Sequence, residues 1–69
     1  MFDIRDLETI AEMTDLLHSG HPGTWTIKDI DFELVSGVDG MYMKCDHINE
    51  SKYVWNGVEI WEYINYVFN

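Results

Sequence analysis

Apolar residues recur along this chain on two different periods. From about Ile4 to His18 the spacing is helical: at 100° per residue Ile4, Leu7, Ile10, Ala11, Met13 and Leu17 share one half of the cylinder, with Thr14 among them, while Arg5, Glu8, Glu12 and Asp15 fall opposite. Leu16 lies at the margin beside Met13. Asp3 suits the N-cap, and Asp6 in the first turn suits the positive end of the helix dipole. The helix should stop at Ser19 and Gly20, because Pro22 disfavours a helical conformation in His21.

From Thr24 to Val35 the period becomes two, and its phase changes midway. Trp25 and Ile27 have one parity; Ile30, Phe32 and Leu34 have the other. A strand cannot absorb that change without an extra residue, so the pattern predicts a bulge or bend at Lys28 and Asp29, or else two short strands meeting there. Ser36 to Gly40 reads as a turn, with Asp39 and Gly40 as its hairpin-favouring pair. Met41, Met43, Cys45 and His47 then form the inward row of the next strand, with Tyr42, Lys44, Asp46 and Ile48 outward. Asn49, Glu50 and Ser51 make a second turn, after which Tyr53 and Trp55 point inward and Val54 outward.

Asn56 and Glu59 have the spacing of a capping box. A helix from about Val58 to Phe68 would bury Val58, Ile60, Trp61, Ile64, Val67 and Phe68, with Glu59 and Glu62 in water. Its Val, Ile, Tyr and Trp content also fits an edge strand, which is the alternative. The pattern thus gives an α+β fold in a single domain over residues 1–69: a small antiparallel three-stranded sheet, in α-β-β-β-α order, with two amphipathic helices packed on one face.

Composition changes this picture in one respect. Thirteen Asp and Glu stand against Arg5, Lys28, Lys44 and Lys52, a net charge of −9 on 69 residues. Such charge can prevent collapse, but 46% of the residues are hydrophobic and ten are aromatic, so the chain should fold. A core this small supplies no more than roughly 3 to 5 kcal/mol. The negative surface repels nucleic acid and anionic lipid and draws in basic surfaces, besides keeping the protein dispersed. No apolar run approaches the roughly 18 residues of a membrane span. Cys45 is the only cysteine, which rules out an internal disulfide. A lone thiol with no hydrophobic leader after Met1 points to the cytoplasm.

Three sets of residues carry candidate chemistry. Asp29, Asp31 and Glu33 alternate, so on one strand their carboxylates would form a row spaced about 6.6 to 6.8 Å apart, extendable by Asp39 or by the acids of the first helix. An EF-hand loop is excluded, because its sixth and twelfth positions from Asp29 are Leu34 and Gly40. The row resembles a run of backbone phosphates that a nucleic-acid-binding protein could accept as a decoy. His18, His21, Cys45 and His47 are the zinc candidates, yet they match no zinc-module spacing, and His18, His21 and Cys45 each have an ordinary structural role open to them.

Catalysis has little support. Ser19, Ser36 and Ser51 lack a nucleophile-elbow context, no Gly-rich phosphate loop precedes a helix, and so small a frame leaves little room for a pocket of about 300 Å³. The third set is aromatic and apolar: Tyr42, Ile48 and Val54 beside Lys44 and Asp46 on the sheet face away from the helices.

The expectation is a non-enzymatic, cytoplasmic binding protein with no cofactor and no metal. Asp29, Asp31, Glu33, Asp39 and Tyr42 would engage a larger protein with a basic surface, with no direct contact to nucleic acid or membrane. In size and charge, though by no motif, the chain resembles the small inhibitors that phages and mobile elements use against host enzymes or defence systems, such as anti-restriction and anti-CRISPR proteins. The alternative is a structural or homodimeric subunit whose charge serves solubility alone.

Overall fold

The computed structural model describes residues 3–69. Helix α1 (Ile4–Ser19) is followed by strands β1 (Gly23–Ile27), β2 (Ile30–Ser36), β3 (Met41–Cys45) and β4 (Ser51–Val54), and the chain ends in helix α2 (Gly57–Phe68). All neighbouring strands are antiparallel and lie in chain order, so β1 and β4 are the edges. The fold is α+β, with four strands where the hydrophobic pattern predicted three.

The extra strand arises at the phase change. Lys28 and Asp29 both have left-handed backbones, φ 50° and 69°, and form a two-residue turn with Ile27 paired to Ile30. This is the geometry that matches the natural twist of a tight hairpin. Of the two expected arrangements, two short strands meeting is the one present. Trp25, Ile27, Phe32 and Leu34 thereby reach the same side of the sheet, where Ile27, Phe32 and Leu34 are fully buried.

Both helices begin as their cap residues dictate. The Asp3 carboxylate accepts from the Asp6 N–H at 2.9 Å and the Asp6 carboxylate accepts from the Asp3 N–H at 3.3 Å, a reciprocal box. At α2, Asn56 caps the Glu59 N–H at 3.0 Å, while the Glu59 carboxylate pairs with Lys52 at 3.5 Å. Gly20, at φ 76°, closes α1 in the left-handed conformation that residues with a side chain avoid.

One cluster unites the helices and the sheet. Ile10, Met13 and Leu17 of α1 and Ile60, Tyr63, Ile64 and Val67 of α2 meet the inward row of the strands. Phe32 is central, with its ring edge-on to Tyr63 at 6.2 Å and tilted against Phe68 at 6.0 Å.

Several side chains differ from expectation. In α1 the apolar arc is wider than the contact available: Ile4, Leu7 and Ala11 are exposed, while Leu16 packs at the rim of the core. Thr14 sits half-buried, donating to the Ile10 carbonyl at 2.9 Å where α2 begins. A Cβ on Gly57 would stand 3.0 Å from the Thr14 Oγ1. In α2, Val58 and Trp61 are exposed and Tyr63 takes a core place instead. His47 lies past the end of β3 and is exposed, and Ile48 turns back onto the core.

The largest correction concerns β4. Val54 pairs with Met41 on the buried side and is 1% exposed, so Tyr53 and Trp55 face outward, the reverse of the expected parity. Lys52 disguised this. It shares the inward parity of Val54, but at the sheet rim its ammonium reaches out to Glu59 while the stem stays half-covered.

Candidate interaction surface

With both helices on one side, the other side of the sheet is uncovered and its side chains are fixed by the register. Val35, Tyr42 and Tyr53 lie in one cross-strand row. Thr24, Glu33, Lys44 and Ser51 form the next, and Thr26 and Asp31 the third. The face is therefore polarised along the strands. One half is apolar and aromatic; the other carries carboxylates and hydroxyls.

Tight packing against glycine holds the aromatic half in place. Tyr42 and Tyr53 meet edge-on at 5.4 Å, and Tyr53 and Trp55 follow at 5.5 Å. A Cβ on Gly37 would lie 2.6 Å from the Tyr42 ring, and a Cβ on Gly40 would overlap the Tyr53 ring. Each tyrosine thus lies on a glycine of the β2–β3 loop. Both hydroxyls converge on Asp39: Tyr42 donates to its carboxylate at 2.9 Å and Tyr53 to its carbonyl at 3.4 Å. The charge-assisted bond to Asp39 raises the Tyr42 phenol above its ordinary value. Val38, at the loop tip, is fully solvated, and Trp55 is 59% exposed.

The acidic half borders an open trough of about 800 Å³, lined among others by Thr24, Thr26, Asp31, Glu33, Lys44 and Asp46. Its volume exceeds what so small a frame was expected to hold, because the trough lies over the bare sheet and needs no enclosing walls. Thr26 donates to Asp31 at 2.6 Å, and Lys44 pairs with Glu33 at 3.7 Å.

Of the five residues expected to bind a partner, Asp31 and Glu33 lie together on β2, and Asp39 and Tyr42 are hydrogen-bonded to each other. Asp29 is not in the carboxylate row; it belongs to the turn. The predicted row of three is a row of two, one member of which faces Lys44. Lys28 pairs with Asp6 at 3.4 Å, so the negative charge on α1 is also partly answered. Glu8, Glu12 and Asp15 stand on the exposed side of the helical layer, away from this face.

Strand parity alone places Tyr53 and Trp55 in the core, whereas they belong to the surface. The register signal that would have placed them outward is Val54, a β-branched residue suited to a site beneath a helix that starts three residues later.

Among the described residues no three His, Cys, Asp or Glu side chains are arranged to hold a metal ion, and His18, His21, Cys45 and His47 do not come together as one site. Among the same residues no helix is long and apolar enough to cross a membrane. No known protein family, curated protein or solved structure matches this chain.

Proposed function

We propose that this protein is a non-enzymatic binding module whose uncovered sheet face engages a larger partner protein with a basic surface. The observation that carries the reading is the contiguous aromatic run of half-buried Tyr42 with exposed Tyr53 and Trp55, its tyrosines seated on Gly37 and Gly40 beside a carboxylate-bearing trough. Rigid aromatics provide contact area at low entropic cost, and such residues dominate binding hot spots. The charge of −9 steers approach and the aromatic row anchors the docked complex. Nucleic-acid-binding proteins are the class that presents such basic surfaces, so the proposed action is inhibitory: occupation of that surface. With Asp29 in the turn and Glu33 facing Lys44, this reading rests on surface complementarity more than on imitation of a phosphate row.

Affinity capture from a host lysate tests it, with the captured protein identified and its dissociation constant measured at low and high salt. The expected result is a basic partner whose affinity falls steeply with salt, is lost in Trp55→Ala and is kept in Val58→Ala on the helical layer. A salt-independent complex, or equal loss in both variants, would overturn the reading. A stable dimer that captures nothing would favour the structural subunit.

A further inference from the structure

The two edges of the sheet are not alike. β4 is four residues long and carries Lys52, whereas β1 (Gly-Thr-Trp-Thr-Ile) contains no Lys, Asp, Glu or Pro, the residues that ordinarily guard a strand edge. Its free hydrogen-bonding groups follow from the ladder. The Asp46 N–H donates to the Asp31 carbonyl at 3.4 Å, so Asp31 turns that group toward β3 and away from its partner Thr26. Antiparallel pairs alternate between bonded and non-bonded, so Thr26 and Thr24 turn their N–H and C=O groups outward, to open solvent. Both residues are exposed.

Carboxylates flank this edge on both sides of the sheet. Asp31 and Glu33 lie directly opposite Thr26 and Thr24, one strand in, and border the trough that the two threonines also line. On the helical side Glu12 accepts from the Trp25 indole at 3.3 Å.

We propose that β1 is a docking edge to which an extended, Arg- or Lys-bearing segment of the partner protein adds as a fifth strand. This rests on the function proposed above and specifies how the partner binds. Main-chain bonds to Thr24 and Thr26 supply affinity, as in other strand-addition complexes. The added strand lies about 9.5 Å from β2, two strand spacings, so alternate basic side chains cross the short threonines into the trough toward Asp31 and Glu33. Charge selects this occupant over a second copy of the chain. A copy would set threonine against threonine and bring a second charge of −9 to the edge.

The test is a titration of isotope-labelled protein at low salt with an acetylated eight-residue peptide of alternating Arg and Thr, read by amide shifts and amide exchange. Thr24 and Thr26 should shift most and exchange at least tenfold more slowly. Thr26→Pro removes the outward N–H, which an edge position tolerates, along with the hydroxyl bonded to Asp31, and should weaken binding at least tenfold, while Thr26→Val, which removes the hydroxyl alone, should stay within about twofold of the parent. Should Thr26→Pro not fold, the exchange data on the unaltered protein decide alone. Shifts confined to Tyr42, Tyr53 and Trp55, or undiminished binding by a folded Thr26→Pro, would overturn the proposal. So would Thr24 and Thr26 protection that grows with protein concentration without peptide, which would give the edge to a second copy. A natural partner that survives Thr26→Pro but is lost in Trp55→Ala would remove the edge docking and leave the proposed function standing.

Discussion

Tyr53 stands beside Tyr42 on the uncovered side of the sheet, ring centroids 5.4 Å apart and planes at 66°. The same register sets Val54 against Met41 on the buried side, so adjacent residues of β4 have opposite duties. Truncation should separate them. Val54→Ala empties a fully buried site and should lower unfolding free energy by about 2 kcal/mol. Trp55→Ala, at an exposed position, should change it by no more than about 0.5 kcal/mol yet weaken partner binding at least tenfold. Urea unfolding and a binding isotherm on the two variants check this. Equal stability losses would mean that the register of β4 is wrong.

Gly40 makes the aromatic row dependent on its loop. Its φ of 152° lies outside the range other residues adopt readily, and the Tyr53 ring occupies the space a Cβ would need. Gly40→Ala should therefore cost more than about 1 kcal/mol and release both tyrosine rings from Asp39. The readout is a lower melting temperature together with collapse of the Tyr42 and Tyr53 ring shifts toward random-coil values. Retention of those shifts would show that glycine is not what holds the rings.

The helices were legible in the sequence because caps and periodicity agreed: Asp3 and Asn56 occupy the cap positions expected of them. So was the inward row of β3, where Met41 and Met43 alternate with Tyr42 and Lys44, whereas Trp25 and Ile27 differ in parity from Phe32 and Leu34 along the chain and share a side only through the turn at 28 and 29. The strand count was obscured because neither turn residue at 28 and 29 is Gly or Asn, the usual marks of this hairpin. In β4 the parity was obscured by composition, since Tyr53 and Trp55 outweigh Val54 in apolar area and Lys52 shares the buried parity. At the surface, the pattern marks Asp39 as a turn acid and Tyr42 as an outward aromatic, while the hydrogen bond that joins them belongs to the fold. The place of Tyr53 and Trp55 beside them depends on pairing across β3 and β4, which one-dimensional alternation does not encode.

The turn at Lys28 and Asp29 stores a cost that substitution can relieve. Two side-chain-bearing residues occupy the left-handed region in succession, and L-residues other than Gly are disfavoured there by roughly 1 to 2 kcal/mol. Asp29→Gly leaves the Lys28–Asp6 pair in place and should raise stability by about 0.5 kcal/mol, the gain in the turn being partly offset by a more flexible unfolded chain. For a domain of this size that is a rise of about 2 to 4 °C in melting temperature. A fall would indicate that the Asp29 side chain contributes an interaction that outweighs the backbone strain.

Acid should weaken the start of α1. The Asp6 N–H bonded to the Asp3 carboxylate holds that carboxyl below its ordinary value. A depressed carboxylate stabilises the fold above the unfolded-state value and loses that contribution as pH falls through the folded one, so the effect belongs below about pH 4. Helical circular dichroism followed from pH 6 to 2 should show a low-pH loss that is shallower in Asp3→Ser, which keeps a cap without a titrating group. Identical profiles would remove Asp3 from the acid transition.

Alkali acts through Tyr63. Its ring is 3% exposed against Phe32, and its hydroxyl donates to the Glu50 carbonyl at 3.1 Å. Burial pushes this phenol well above its ordinary value, with the neighbouring Cys45 adding to the shift. Because the folded value is the higher one, the folded state keeps its proton where the unfolded chain has lost it. The contribution is intact below about pH 10, the ordinary phenol value, and declines as pH rises from there toward the folded value. Tyr63→Phe should lose about 1 kcal/mol at pH 7 with the hydrogen bond, yet show a flatter decline above pH 10. Urea midpoints for the two proteins between pH 7 and 11.5 should therefore converge. Parallel curves across that range would mean that ionisation of Tyr63 is not linked to unfolding, and that the alkaline limb belongs to other groups.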